Sequence, residues 1–393
     1  MRVLIASTQG AGHFNPLRPF LAALTRRGDE ALLVVPPLLA GTAEATGHPF
    51  RIGADPPAEE LAAIWQRFQM VPQAEAAVLA NREIFGRLDT AAMLPALEEA
   101  CDTWRPDLVL RDPCEYASAV AADRRGIPHA QVAISLASAE AYSLDLAAPV
   151  LEPYGAGMVR RIRSSPYLTR FPAALDPSPY AVTRRYGLGP TLPSEPLPDW
   201  WSGDRTPLVY VTFGSVTGGL SIGTPTVRGA IAAVTGLPLR VLVTVGDAPD
   251  ATALGPLPAN VHVEAWVSQE TVLGHAAAVV CHGGSGTTVG ALAAGVPVVV
   301  VPLFSDHFAN ARWVAAAGAG LVVEPAAGST RALGALAAED VPSLRAAIGT
   351  VLADATYRRA ARRIAAGMRA LPTVDDVLAD LATAAGGPAA RGR

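Results

Sequence analysis

Unbroken apolar runs recur along the chain, separated by longer stretches in which apolar residues return every three or four positions. In the first half the runs are residues 3–7, 31–35, 107–111 and 130–135; in the second they are 208–213, 239–245, 261–265, 278–281, 297–301 and 320–323. A strand with one wet face alternates apolar and polar residues, and the first-half runs do not alternate, so both of their faces are covered. Buried strands interleaved with helices predict an α/β fold built on parallel sheets. The same grammar is written twice, which makes two Rossmann-like units.

A length of 393 residues suits about two domains of ordinary size. Between the halves, residues 186–207 hold Pro190, Pro193, Pro196, Pro198 and Pro207. Proline removes a backbone donor and fixes φ, so neither sheet nor helix continues here. The predicted organisation is an N-terminal domain over 1–190, a linker over 191–206, a second domain over 207–370, and a C-terminal segment over 371–393. Residues 355–370 read as a helix with arginines at 358, 359, 362, 363 and 369 on an exposed face; Leu371 and Pro372 end it. An amphipathic helix over 374–384 is expected to return to the first domain, with 386–393 as a frayed tail.

Composition narrows the function. Half of the residues are hydrophobic, 17% are charged and the net charge is −4, which describes a well-packed enzyme and not a nucleic-acid-coating protein. All 31 basic residues are arginines, which excludes a Schiff-base lysine and a Walker A loop. Cys101, Cys114 and Cys281 are scattered, without metal or redox spacing. The first run is too short for a signal-peptide core, and no uncharged apolar run approaches the roughly 20 residues of a membrane span, so a cytoplasmic location is expected. A homodimer is a further expectation.

The densest chemistry follows the run 278–281. His282, Gly283, Gly284, Ser285, Gly286, Thr287 and Thr288 open a segment, 289–294, of good helix formers. Small residues admit a ligand close to the main chain, and the first turn of a helix offers unpaired N–H groups and about half a positive charge. This is a site for a phosphate or diphosphate. The serine and threonine hydroxyls and the His282 ring add donors. The plain alternative is a tight strand-to-helix turn, which has no need of a histidine and three hydroxyls.

The run from Trp266, Val267, Ser268 and Gln269, through His282 to Thr287, to Gly295, Val296 and Pro297, and then Asp306, His307, Phe308, Ala309, Asn310 and Ala311, resembles the donor-binding signature of the family 1 glycosyltransferases. Within that family the likeness is to the actinobacterial enzymes that decorate polyketide and other natural-product aglycones. It is strong over 205–325, good at the N-terminal loop and weak over 50–190. The resemblance implies a GT-B fold, with two Rossmann-like domains facing each other across a cleft. It implies that Trp266 stacks on the donor base, that Val267 pairs with the base through its backbone, and that His282 and Thr287 bind the diphosphate. Ser215, just after the run 208–213, would add a phosphate contact, and Asp306 with His307 would meet the sugar hydroxyls. An aromatic face at a strand end is a stacking platform in its own right, with a core tryptophan as the alternative.

Two departures bear on the donor. Plant-type members carry a glutamate for the ribose hydroxyls where this chain has Gly290, which favours a dTDP-sugar over a UDP-sugar. The family's Asp-Gln pair reads Asp306-His307 here. A neutral imidazole has one donor against two on an amide, which points to a sugar with fewer or altered hydroxyls.

At the other end, Gly10, Ala11, Gly12, His13, Phe14, Asn15 and Pro16 follow the first strand. Asn15 stands where a dinucleotide fingerprint needs its third glycine, which argues against NAD. A histidine at a strand's carboxyl end lies where α/β sheets bind ligands, and the loop matches the family's Gly-His-x-x-Pro. His13 is then the general base that activates an acceptor hydroxyl, since a neutral imidazole suits that task. Asp112, just after the strand 107–111, is the expected partner fixing its tautomer, with a surface turn before proline as the alternative. No Asp-x-Asp motif offers a metal bridge, so no metal and no cofactor beyond the nucleotide-sugar co-substrate is expected.

A hydrophobic small-molecule acceptor would meet the first domain's loops, where Phe14, Trp65, Phe68, Met70, Phe85 and Tyr142 are candidates; helical spacing makes core packing an equal reading for several. Three other classes stay open: a nucleotide-sugar 2-epimerase of the same fold, which needs more carboxylates than Asp112 and Asp306; an inactive binding protein; and a hydrolase, which lacks a Gly-x-Ser-x-Gly elbow.

Overall fold

The computed structural model describes residues 1–189, 196–217, 220–246, 254–326 and 333–385, the side chains of 215, 216 and 385 excepted. Pro190, Pro193, part of the expected linker and the tail after 385 lie outside the described residues. The chain forms two compact units, Met1–Leu188 with Leu371–Arg393, and Gly189–Ala370. Among the described residues no helix is long and apolar enough to cross a membrane.

The first unit holds seven parallel strands: β1 (Arg2–Ala6), β2 (Glu30–Val35), β3 (Phe50–Ile52), β4 (Leu108–Arg111), β5 (His129–Val132), β6 (Tyr167–Thr169) and β7 (Thr183–Arg185). Their order is β3-β2-β1-β4-β5-β6-β7. The four runs seen in the sequence became β1, β2, β4 and β5. The other three strands have three residues each; Phe50 and Ile52 stay exposed on β3, and β7 carries two arginines. Three residues are too few to make an apolar run that announces a strand, even in β6, which is buried throughout. The second unit holds β8 (Leu208–Thr212), β9 (Arg240–Thr244), β10 (Val261–Glu264), β11 (Ala276–Cys281), β12 (Val298–Val300) and β13 (Gly320–Val322), in the order β10-β9-β8-β11-β12-β13, again all parallel.

Both faces of the first sheet are covered, as unbroken apolar strands require. Val3, Ile5, Leu33 and Leu110 pack with Leu17, Phe20 and Leu24 on one side. Leu4, Val34 and Val109 pack with Met93, Leu97 and Ala121 on the other. The C-terminal helix Val374–Ala385 belongs to the first of these cores through Val374, Val377, Leu378 and Leu381. Arg26 holds it to the helix Arg18–Arg27 by a 2.6 Å contact with Asp375, and the Gly187 amide donates to the Pro372 carbonyl. Tyr186, which the proline count assigns to the start of a linker, is wholly buried with its ring edge-on to Phe20.

In each sheet the order reverses once between adjacent central strands, β1 with β4 and β8 with β11. Ligands of α/β sheets bind beyond the strand ends at such a reversal. Ala6 lies opposite Arg111 in the first register, and Thr212 opposite Cys281 in the second. The residues that follow these strands are therefore neighbours, however far apart in sequence.

Leu378 is fully buried under the first sheet. Leu378→Ala is expected to cost about 2–5 kcal/mol, read as a lower urea midpoint; a change within error would show that the C-terminal helix does not support that core.

Candidate active site

In the first unit the reversal joins His13 to Asp112. The short helix Ala11–Phe14 begins right after the loop that leaves β1, and Nδ1 of His13 lies 3.1 Å from Oδ1 of Asp112. Asp112 is wholly buried. Its Oδ1 also accepts from the Cys114 amide at 2.8 Å, and its Oδ2 accepts from the amide and hydroxyl of Thr8 at 2.7 and 3.3 Å. Burial alone would raise its pKa, but the His13 charge and hydrogen bond, with the Thr8 and Cys114 amides, hold the carboxyl below its usual value. An ionised carboxylate only accepts, so the neutral His13 ring carries its proton on Nδ1 and its lone pair on Nε2. That is the tautomer of a base. The surface-turn alternative for Asp112 is set aside by its burial.

His13, Asp112 and Cys114 each offer one ligand atom within 4.8 Å of the others, the one such group among the described residues. Both Asp112 oxygens are already engaged by the bonds above. The three cysteines are buried and form no disulfide.

In the second unit the reversal joins the turn after β8 to the glycine loop after β11. Gly283 has φ +91° and Gly284 caps the helix Ser285–Ala293, so the helix starts on the loop itself. The His282 ring lies between two glycines: a Cβ on Gly214 would stand 2.8 Å from its Cε1, and one on Gly284 would stand 2.2 Å from its Nε2. Any side chain at either position displaces the imidazole. His282 meets His307 edge-on at 4.5 Å, and Phe304 donates its amide to Nδ1 of His307 at 3.3 Å. Burial presses both imidazoles down to a pKa of about 3; His307 reinforces this on His282, while Asp306 and the Thr212 main chain oppose it. Nδ1 of His282 is buried without a hydrogen-bond partner. Both rings are therefore neutral near pH 7, and the positive character of the loop comes from the helix N–H groups, not from histidine charge.

The predicted donor residues divide accordingly. Gly286 is exposed, and Thr287 is half-buried at the helix start. Trp266 follows β10 and is 77% exposed, so it is no core tryptophan; Val267 beside it is half-buried. Ser285 departs from expectation as a hydroxyl donor for phosphate. Its Oγ donates to Asp306 Oδ2 at 3.1 Å and accepts from Asn310 at 2.9 Å, so it is committed within the protein. Asn310 also donates to Asp306 and to the Gly283 carbonyl. It fixes the loop, a role that the resemblance did not assign to it. The backbone of Ser215 lies in the helix Gly214–Thr217, with its side chain outside the described residues.

Of the acceptor candidates, Phe85 packs against the His13 ring, with centroids 5.3 Å apart. Phe14 is corrected: it is wholly buried with Leu17 and Phe20, because the turn Asn15–Leu17 that follows directs the ring into the core. Trp65 and Phe68 pair edge-on on the helix Ala58–Phe68, none of whose residues is buried, and Met70 and Tyr142 are exposed. Sequence reasoning did not single out Thr8, Asn310 or Asp89; each acts through contacts with residues distant in sequence.

Two parallel α/β units with these loops at their order reversals define a GT-B glycosyltransferase. The chain resembles the crystal structure of the glycosyltransferase SnogD from Streptomyces nogalater at a TM-score of 0.74 and 26% identity, covering 98% of this chain and 99% of that one. It resembles Streptomyces sp. SF2575 glycosyltransferase SsfS6, complexed with thymidine diphosphate, at a TM-score of 0.74 and 24% identity, with 98% and 99% covered. Residues 229–383 match the C-terminal domain of the erythromycin biosynthesis protein CIII-like family, and residues 65–153 its N-terminal domain. Elloramycin glycosyltransferase ElmGT of Streptomyces olivaceus is 33% identical over the whole of both chains. The protein belongs to this family and is a glycosyltransferase of the antibiotic-biosynthesis type.

The buried histidines set a pH dependence. Unfolded, His307 titrates near 6.5; folded, near 3. Between those values the unfolded chain binds a proton that the folded one refuses, so stability is intact above pH 6.5 and lost as pH falls toward 3. His307→Asn retains an acceptor for the Phe304 amide and removes the titration. The stability of the wild type relative to this variant is expected to drop by about 2 kcal/mol from pH 7 to 5, measured by urea unfolding; a constant difference would place the imidazole in water.

Proposed function

We propose that the protein transfers a deoxy sugar, with inversion, from a dTDP-sugar to a hydroxyl of a hydrophobic natural-product aglycone. His13 is the general base and Asp112 holds its tautomer. The observation that carries this reading is the 3.1 Å contact between His13 and an Asp112 that is wholly buried and kept ionised. As Nε2 takes the acceptor's proton, the acceptor oxygen attacks the anomeric carbon and the bond to the nucleoside diphosphate breaks. The imidazolium that forms is stabilised by the carboxylate beside it.

The leaving diphosphate gathers charge as that bond breaks. The N–H groups at the start of the helix Ser285–Ala293, the Thr287 hydroxyl and the neutral His282 ring supply fixed donors for it. Trp266, with its face open to solvent, stacks on the base, and the Val267 backbone pairs with it. Ser215 contacts a phosphate. Asp306 and His307 meet the sugar, with Ser285 and Asn310 holding Asp306 in place. A thymine nucleotide is supported by Gly290, which offers no carboxylate to a ribose hydroxyl, and by the thymidine diphosphate bound to the related SsfS6. Members named for elloramycin and erythromycin support a natural-product acceptor. No metal is assigned a role.

His13→Ala is expected to lower turnover about a hundred- to ten-thousandfold, while thymidine diphosphate still raises the melting temperature as it does for the wild type. Unchanged turnover would remove His13 as the base. Isomerised donor without transfer would replace the reaction by an epimerisation. Stabilisation by UDP but not by thymidine diphosphate would overturn the nucleotide.

A further inference from the structure

Beside the His13–Asp112 pair the first unit contains a crevice in which Asp55, Asp89 and Glu115 meet Phe85, Thr8 and Cys114. These neighbours tie it to the base. Phe85 is the ring against His13, and Thr8 and Cys114 supply the amides that hold Asp112. Asp89 lies close enough to both His13 and Asp112 to feel their charges. It is more than nine-tenths buried, yet its Oδ2 has no hydrogen-bond partner. A buried carboxyl oxygen without a partner is costly, so such a group in a native fold calls for an explanation.

The backbone holds Asp89 there. Residues Leu79–Asp89 form a π-helix, and the Thr90 hydroxyl donates to the Phe85 carbonyl at 2.8 Å. Wide helical turns of this kind occur often at functional sites. Gly86, between Phe85 and Asp89, packs so tightly on the helix Ala137–Leu151 that a Cβ would stand 2.8 Å from the Val150 side chain. The segment cannot slide or turn without breaking that contact.

The crevice has room for about one water-sized group, which is the size of a single hydroxyl and too small for a ring. The unpartnered Asp89 Oδ2 that lines it lacks a hydrogen-bond donor. Burial pushes the Asp89 and Glu115 carboxyls up to about 7, so neither holds a full charge for a cation near neutral pH, which leaves a neutral donor. We infer that Asp89 determines acceptor specificity: its Oδ2 accepts a hydrogen bond from a second hydroxyl of the acceptor, next to the one that His13 deprotonates, so that preferred acceptors are aromatic diols with adjacent hydroxyls. The inference rests on the reading of this end of the first unit as the acceptor site and goes beyond it in naming the acceptor class.

The test compares alizarin, an anthraquinone with two adjacent hydroxyls, with 2-hydroxyanthraquinone, which has one. Both are titrated into the full chain saturated with thymidine diphosphate, by calorimetry. The wild type is expected to bind alizarin about three- to tenfold more tightly, the scale of one hydrogen bond. Asp89→Leu is expected to bring the ratio near one, and the isosteric Asp89→Asn, which keeps an acceptor oxygen, to retain part of it. Thermal stabilisation by thymidine diphosphate reports that each variant is folded. Equal affinities in the wild type, an unchanged ratio in Asp89→Leu, or binding of neither compound overturns the inference. Transfer from a dTDP-sugar is followed separately: glycoside formed without a diol preference sinks this inference alone, and an intact preference without transfer sinks the reaction and not the recognition.

Discussion

The parallel register between the two central strands of each sheet is the constraint on which the chemistry depends. Opposing Ala6 to Arg111 makes Asp112 the next residue out, and the Asp112 amide then donates to the Ala6 carbonyl at 3.2 Å. A carboxylate in that position is removed from water and must be compensated. Thr8, Cys114 and His13 do so between them, and in doing so they set the orientation of the imidazole. A slip of one residue along β4 would turn Asp112 to the other face of the sheet and leave His13 without its carboxylate.

The second unit solves a different problem from the same geometry. In the proposed reaction it offers donors to an anion without placing a titrating cation there. Gly214 and Gly284 enclose the His282 ring, and His307 closes it from the edge. Inside that packing the ring stays neutral, so its state does not change across the physiological range. The fixed partial charge of the helix start remains, and it needs no proton to maintain it. The two histidine environments are thus opposites: His13 has a carboxylate to stabilise its charged form, and His282 has burial to forbid it.

How much of this was legible follows from what a single sequence encodes locally. Most of the ten runs were legible because a strand covered on both faces is largely apolar; 261–265, where His262 and Glu264 alternate with valine, became the partly buried edge strand β10. His13, Asp112 and the glycine loop were legible because strand ends at an order reversal carry ligand chemistry, and because their residue types have few structural reasons to occur together. β3, β6 and β7 were not, since three residues are too few to leave a pattern, whether half-exposed as in β3 or wholly buried as in β6. Phe14 was misplaced because its direction depends on one turn of Asn15–Leu17, and Ser285 because Asp306 lies 21 residues ahead of it. Asp89 left no trace at all: a lone aspartate at the end of a helix reads as solvated, and residues it shares a crevice with come from the segments after β1 and β4.

The Asp306–His307 pair shows why a departure from a family pattern is not read from one function alone. Where the resemblance leads to an amide for a sugar hydroxyl, the imidazole also packs edge-on against His282, accepts from the Phe304 amide, and reinforces the neutral state of its neighbour. An amide side chain has no ring edge to fill that contact. Asp306, for its part, ties Ser285 and Asn310 together under the Gly283 carbonyl. The two residues expected to read the sugar are therefore also members of the framework that shapes the anion loop. In the proposed reaction a substitution at either one would change sugar recognition and loop geometry together, and only paired measurements of nucleotide affinity and sugar preference separate the two.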